Sequence, residues 1–512
     1  MRIEYICHSC LFIDTGDTTL VFDPWFKGSV YMNQWFLFPG PVETTQLAPV
    51  KNILYSHGHE DHLHLDSLKE LNKDANIFYP FQWRRGAKEF FSENGFNKLT
   101  EAVSFKDYRI SPTTTVTYIG FALESVIVVQ VGETVIVNLN DALNSHHQNV
   151  VEMFLREIKK RWPKIDYLFS GWSGAGYFPN TVHYKTKNDF ETGLIREQYF
   201  AHNFAKIVQV LQPERAIPFG PGFALLNEDK RWINEVKFDR EKFEPYYSEH
   251  LDKNHNIEFF VINPGDYFDE NGLQKISPWH KRFEDFSIAE LVEQEFTFEM
   301  KATENVAFCS EEEAEQIRLS LKKCLDDNRP LFDPFVLSTA SFSIRIDNLK
   351  TNNFFNVRFI DGQFFVTRES EPHVGHRLLI RTKSHLLHYA VENEWGGDVL
   401  TIGYGIDVDV YDELTLEQNL DIVCVRLITR YPTASGSLRK DPFRAINYFI
   451  KHPMMGKLAI KQKLKLRNTI NKFPYNERDH WISWSKCDLC KVCNLPLLSW
   501  EMGEQMKIAS GQ

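Results

Sequence analysis

Short apolar runs alternate with longer amphipathic stretches through the first 225 residues. The runs at Ile53–Tyr55, Ile77–Tyr79, Val116–Tyr118, Ser125–Val131, Thr134–Leu139, Tyr167–Phe169 and Ala216–Phe219 are rich in β-branched and aromatic side chains and predict strands. Between and after them, residues 150–161 and 190–211 repeat apolar positions at helical spacing and predict helices. At the start of the chain, the stretches Tyr5 to Asp14 and Thr19 to Trp25 predict two strands joined by the turn Thr15-Gly16-Asp17. This alternation predicts one mixed α/β domain over residues 1–225.

The pattern then changes. Residues 226–330 predict a helical, acidic connector whose Glu311-Glu312-Glu313 and Glu315 form a solvated charge cluster. Over residues 331–430 strict alternation returns, as in Phe342-Ser343-Ile344-Arg345-Ile346, and Asp361-Gly362 supplies a two-residue hairpin turn. A smaller α+β accessory domain is predicted there. Residues 431–512 predict a helical basic tail in which 457–466 form an amphipathic helix, more simply a solvated surface helix than a membrane contact.

Candidate chemistry is concentrated at one place. Directly after the strand at 53–55, His57-Gly58-His59-Glu60-Asp61-His62 puts three histidines and an aspartate within six positions. With only 18 histidines in 512 residues, such clustering is hard to assign to packing. A loop at a strand end lets His57, His59, Asp61 and His62 converge as metal ligands. Imidazole with carboxylate suits zinc, iron or manganese better than calcium or magnesium.

The spacing His-x-His-x-Asp-His resembles the signature of the metallo-β-lactamase superfamily. Two further residues keep that family's order: Asp23, closing the second strand, and Asp141, closing the strand that starts at Thr134. An aspartate at a strand end is also an ordinary helix cap. The resemblance implies a metallo-β-lactamase-type αββα sandwich followed by a smaller C-terminal α+β domain. It implies that Asp141 bridges two divalent metal ions, and that His8 and Asp23 orient the ligands without touching metal.

The pattern departs from a hydrolytic member at two positions. No histidine occurs between His64 and Asp141, where Glu124 is the available substitute, and Gly220 stands where a late-loop histidine is expected. Three stretches, Asp23-Pro24-Trp25-Phe26-Lys27-Gly28, Ser173-Gly174-Ala175-Gly176-Tyr177-Phe178-Pro179 and Pro218-Phe219-Gly220-Pro221-Gly222-Phe223, resemble the catalytic domain of the CMP-N-acetylneuraminate hydroxylase family. That resemblance implies a dinuclear non-haem iron hydroxylase or oxygenase. Its metal ligands are His57, His59, Asp61, His62, Asp141 and Glu124, with Asp61 and Glu124 as the catalytic carboxylates. Ser173, Gly174, Gly176, Tyr177, His183 and Lys185 are expected to contact a small polar, nucleotide-sugar-like substrate.

The family's Rieske ligand pairs, Cys-x-His and Cys-x-x-His, do not occur in the chain, so an oxygenase needs a separate electron donor. The alternative is a zinc or manganese hydrolase acting on a phosphodiester, lactone or amide. A third reading is a non-catalytic module that keeps the fold.

Composition narrows the partners. A formal charge of −11 argues against a dedicated nucleic-acid binder. No apolar run approaches the roughly 20 residues that span a bilayer, and the chain enters a strand without a leader-like segment, so a cytoplasmic protein is expected. Eight cysteines in so long a chain do not suggest a disulfide scaffold. Cys7 and Cys10, if they lie on one strand, face opposite ways. Cys487, Cys490 and Cys493, with His480 upstream, form a thiolate cluster that can hold zinc or iron–sulfur.

Overall fold

A computed structural model describes residues 1–457 apart from 82–85, 122, 144–147, 185–186, 238, 251–255, 333–336, 339, 412–414, 416–419 and 430–440. Two β-sheets packed face to face form the first half. The order in the first is Gly272–Gln274, Tyr267–Asp269, Arg2–Cys7, Cys10–Asp14, Thr19–Phe22, Asn52–Leu54, Asn76–Pro80 and Leu99–Ala102. The second runs Glu258–Phe259, Arg215–Pro218, Tyr167–Ser170, Thr134–Asn140, Glu124–Val131, Thr114–Phe121 and Asp107–Arg109.

Strand alternation explains why these runs are apolar on every residue. Val116, Tyr118, Ile127, Val129 and Ile136 point inward and meet Leu11, Leu20, Phe22 and Leu54 of the opposite sheet. Their neighbours Ile119, Val126, Val128, Val135 and Val137 point outward, where the helices Gln148–Arg161 and Asp189–Leu211 cover them. The outer face of the first sheet is covered by Leu68 and Phe91 from two shorter helices, Leu65–Glu70 and Ala87–Glu93. Helix, sheet, sheet, helix is the αββα order, and strands buried on both faces have no polar side to show.

Two expectations are corrected. Tyr5 to Asp14 is not one strand: the chain reverses at His8-Ser9, with His8 at φ 46°, and Arg2–Cys7 pairs antiparallel with Cys10–Asp14. Cys7 and Cys10 therefore stand directly opposite each other in register, both buried, rather than on opposite faces of one strand. Residues 226–330 do more than connect. Glu258–Phe259 extends the second sheet, and the hairpin Tyr267–Asp269 with Gly272–Gln274 extends the first beside the N-terminal strand. The acidic run at Glu311 is the first turn of the helix Glu311–Asn328, closed by a capping box between Ser310 and Glu313.

A third sheet, ordered Val182–His183, Ile406–Val410, Leu378–Thr382, Phe342–Ile346, Phe354–Ile360 and Gln363–Glu369, carries the later core. The hairpin across Asp361-Gly362 forms where expected, with both residues at positive φ. The strand Val182–His183 comes from the first half, so this sheet is shared. At that seam His183 bridges Asp189 (3.1 Å) and Asp407 (2.9 Å), and the Lys230 ammonium contacts both Asp407 oxygens at 2.6 Å. Residues 458–466 of the amphipathic stretch, and Cys487, Cys490, Cys493 and His480, lie outside the described residues. Among the described residues no helix is long and apolar enough to cross a membrane.

Candidate metal centre

The strand Asn52–Leu54 ends at one rim of the sandwich, and the next residues fold into a compact loop. The His59 carbonyl accepts the His62 and Leu63 N–H groups (3.1 and 2.8 Å), and His64 caps the following helix by accepting from Ser67. This turn aims alternate side chains at one point. His57 Nε2 lies 2.7 Å from His59 Nδ1, and Asp61 Oδ2 lies 3.2 Å from His62 Nε2. Asp141, one residue past the strand Thr134–Asn140, reaches in from the other sheet. Its Oδ2 is 3.1 Å from His62 Nε2 and 3.8 Å from His57 Nε2. Two groups of donor atoms result, one of His57, His62 and Asp141 and one of His8, Asp61 and His62. All expected ligands of the loop are thus brought together with Asp141.

The ring nitrogens facing away are held. Ser56 Oγ lies 2.8 Å from His57 Nδ1. Asn140 Nδ2 reaches His62 Nδ1 at 3.3 Å while also donating to Ser56 Oγ and to Asp23. Asp23, fully buried, accepts the Ser56 backbone N–H at 2.7 Å. These contacts leave the Nε2 atoms of His57 and His62 directed at the centre, as metal-ligating imidazoles require.

His8 is fixed in the same way. Its Nδ1 accepts the Gly222 N–H at 3.0 Å, so the neutral ring carries its hydrogen on Nε2, 3.0 Å from Asp61 Oδ2. The other Asp61 oxygen accepts the Tyr31 hydroxyl at 2.5 Å. Tyr31, Met32 and Asn33 all adopt left-handed backbone, at φ 54°, 57° and 62°. Three successive non-glycine residues there cost on the order of 1–2 kcal/mol each. The conformation is held by the Tyr31 N–H on Glu60 Oε2 (2.8 Å) and by Gln34, which donates to Tyr31 O and to Val399 O.

Electrostatics fit a cation. Burial opposes ionisation of Asp61, but His62 and His8 outweigh it and hold its carboxyl well below the usual range. Burial likewise opposes a charge on His62, while Asp61 and Asp141 pull the imidazole well above its ordinary value. Glu124, at the start of its strand, is pushed far up by burial and then by Asp141, with His62 opposing. Its Oε2 is buried and has no hydrogen-bond partner among the described residues. An orphaned carboxylate oxygen in the field of Asp141 and His62 fits a bound metal ion, which would satisfy it, although Glu124 stands outside both groups of converging donor atoms.

The expected substrate contacts have partners within the fold. The Ser173 hydroxyl donates to Glu197. A Cβ on Gly174 would fall 2.1 Å from the Phe200 ring, so packing against helix Asp189–Leu211 explains that glycine. Fully buried Arg196 donates to the Gly174 and Ala175 carbonyls and to Tyr404, and Tyr177 N bonds Thr401 O at 2.8 Å. Gly176 also faces Thr401 O. The Gly-rich loop is therefore a seam against the later segment around 401–404. His183 belongs to the Asp189–Asp407 bridge. Lys185 lies outside the described residues.

Sequence reading missed Tyr31, Ser56, Asn140 and Gly222. Only Asn140 carried a local signal, an asparagine before the candidate ligand at a left-handed position (φ 51°).

Residues 2–150 match a model described as the beta-lactamase superfamily domain. Cytidine monophosphate-N-acetylneuraminic acid hydroxylase of Cricetulus griseus is 35% identical over 75 residues, 14% of this chain and 13% of that protein. The Danio rerio protein of the same name is 23% identical over 256 residues, 46% of this chain and 40% of that protein. The chain thus spans less than half the length of these relatives. Among solved structures, CmlA, a diiron beta-hydroxylase from Streptomyces venezuelae, is 17% identical over 51% of this chain and 52% of that one, with a TM-score of 0.34. An isothiocyanate hydrolase from Delia radicum gut bacteria is 12% identical over 52% of this chain and 99% of that one, with a TM-score of 0.37.

Proposed function

We propose, for a chain whose residues 2–150 match the beta-lactamase superfamily domain, a metal-dependent oxidoreductase: a dinuclear non-haem iron hydroxylase or oxygenase acting on a small polar substrate. The observation that carries this reading is Glu124, a half-buried residue whose Oε2 is buried, has no partner among the described residues and lies in the field of Asp141 and His62, where a hydrolase offers imidazole. Two ions would be held among His57, His59, Asp61, His62, Asp141 and Glu124. Three imidazoles with three carboxylates form the mixed donor set that suits iron. The similarity to hydroxylases, 35% identical over 75 residues and 23% identical over 256, supports the same choice.

When bound, an iron pair supplies activation of dioxygen, with electrons from a separate donor. The chain's own residues set the conditions. His8 and Tyr31 clamp both oxygens of Asp61, so its carboxylate plane is fixed. Asn140 and Asp23 fix His62. A nucleotide-sugar-like substrate is the resemblance's suggestion. Lys185 remains proposed as a contact by sequence alone; Ser173 and Gly174 act by shaping the loop.

Purification without oxygen followed by metal analysis tests the proposal. Iron near two per chain, with oxygen consumption in the presence of a reductant, is expected. Stoichiometric zinc with no oxygen consumption under any reductant defeats it. The second reading is a hydrolase of a phosphodiester, lactone or amide. It is favoured by the intact convergence of His57, His59, Asp61, His62 and Asp141, which equally fits zinc. Turnover of such substrates by the zinc or manganese form without oxygen decides for it.

A further inference from the structure

Behind the loop Gly220–Phe223, on the side away from His8, lies a cavity of about 510 Å³. Its walls are aromatic, with Phe38, Trp172, Phe223 and Phe283, and two cations, Lys237 and Arg240, face into it. Both are only partly buried by area, because what they expose opens onto this cavity.

The hydrogen-bond inventory of the two cations is incomplete. Lys237 Nζ has three N–H donors and gives one, to the Phe223 carbonyl at 3.0 Å. Arg240 has five and gives one to Ile262 O and one to Asn263 Oδ1, each at 2.9 Å. Neither forms an ion pair with a described carboxylate. Glu197 acts on Lys237 from beyond contact distance and is engaged by Ser173. The acids Asp239, Glu241 and Glu284 line the cavity but are exposed. His280 is satisfied by Asp266 at 2.6 Å. Desolvation shows in the ammonium of Lys237, which burial draws down to about 8 with only partial relief from Glu197. Glu241, Asp239 and Asp266 act on Arg240 from beyond ion-pair distance, so two neighbouring cations keep unused donors with no carboxylate in direct contact, an arrangement that an anion in the cavity would relieve.

We propose that this cavity binds a small oxyanion, phosphate or carboxylate, carried on an aromatic or apolar body. The anion meets Lys237 and Arg240, and the body packs against Trp172, Phe38 and Phe223. The volume lies in the range of small-molecule sites and exceeds what a bare ion needs. The cavity is separate from the metal centre but shares a wall with it. The loop that forms its floor is the one whose Gly222 N–H holds His8.

Calorimetric titration of the full metal-loaded chain tests this. The probes are phenylphosphonate, phenylacetate and inorganic phosphate, with benzyl alcohol as the neutral control. Binding of phenylphosphonate or phenylacetate, with benzyl alcohol at least about tenfold weaker, is expected, and the tighter of the two identifies the anion. Lys237→Met and Arg240→Met should each weaken it about tenfold, the loss of a charge-assisted hydrogen bond. Lys237→Arg should retain it, and His62→Ala should leave it unchanged. If Arg240→Met does not fold, the Lys237 pair of variants decides. Equal binding of the neutral control, no binding of either aryl anion, unchanged binding in Lys237→Met, or binding abolished by His62→Ala would each overturn the proposal.

Discussion

Gly222 donates its backbone N–H to His8 Nδ1 across 3.0 Å, joining two residues 214 positions apart. The late loop that lacks the hydrolase histidine is therefore not idle. It sets the tautomer of His8, and His8 in turn orients Asp61. A Cβ on Gly222 would stand 2.9 Å from His8 N and 3.0 Å from its Cα, both rigid backbone. Gly222→Ala should cost about 1–3 kcal/mol of stability by overpacking, read from denaturant unfolding. It should also weaken one of two metal ions, read by competition with a chelator.

Tyr31→Phe keeps the ring among its aromatic neighbours and removes only the hydroxyl on Asp61. Metal affinity at the Asp61 site should fall roughly 10–100-fold, as for other groups that orient a ligand. The thermal midpoint of the metal-free protein should move little. Loss of both ions together would show that Tyr31 supports the whole loop instead.

Glu124→Gln should act with opposite signs in the two forms of the protein. In the metal-free chain, burial raises the Glu124 pKa above its unfolded value. The folded state then binds more protons, so stability falls as pH rises through the ordinary carboxylate range. Gln removes that penalty, and metal-free Glu124→Gln should be the more stable at neutral pH. In the metal-loaded chain the variant should lose affinity for one ion. Equal stability and affinity in both forms would show Glu124 to be no ligand.

The seam between the two halves should be strongest in mild acid. Burial opposes ionisation of Asp407, but His183 and Lys230 hold its carboxyl well below the usual range, so its contribution is present above the ordinary carboxylate pKa and is lost as pH falls further. His183 is opposed by burial but raised by Asp189 and Asp407, so its contribution is full below the unfolded imidazole pKa and is lost as pH climbs through the raised value. Asp407→Asn leaves buried Lys230 with only the exposed Asp229 (2.9 Å) as countercharge and should cost less than the roughly 3–5 kcal/mol of a fully unpaired buried charge, with the pH profile flattened on its acid side.

The candidate metal loop was legible because its candidate ligands are contiguous: four of six such side chains fall between His57 and His62. Asp141 was legible because it ends an apolar strand in the right order. What held those side chains was not, since Tyr31 and Asn140 reach Asp61 and His62 from 30 and 78 positions away, and Gly222 reaches their neighbour His8 from 214. The strands Glu258–Phe259, Tyr267–Asp269 and Gly272–Gln274 were missed because two or three residues carry no periodicity. Glycines at 174 and 176 suggested a ligand cradle, but Phe200 and Thr401 fill the space beside them. A sequence shows that a glycine is present and not which neighbour demands it.

The most direct measurement is Mössbauer spectroscopy of the full chain, expressed with isotopically enriched iron and purified without oxygen. A spin-coupled pair of iron ions near two per chain, reduced to one or none in Glu124→Gln and lost in Asp141→Ala, is the predicted result. A protein that excludes iron while holding stoichiometric zinc, with Glu124→Gln indistinguishable from the parent, would contradict it.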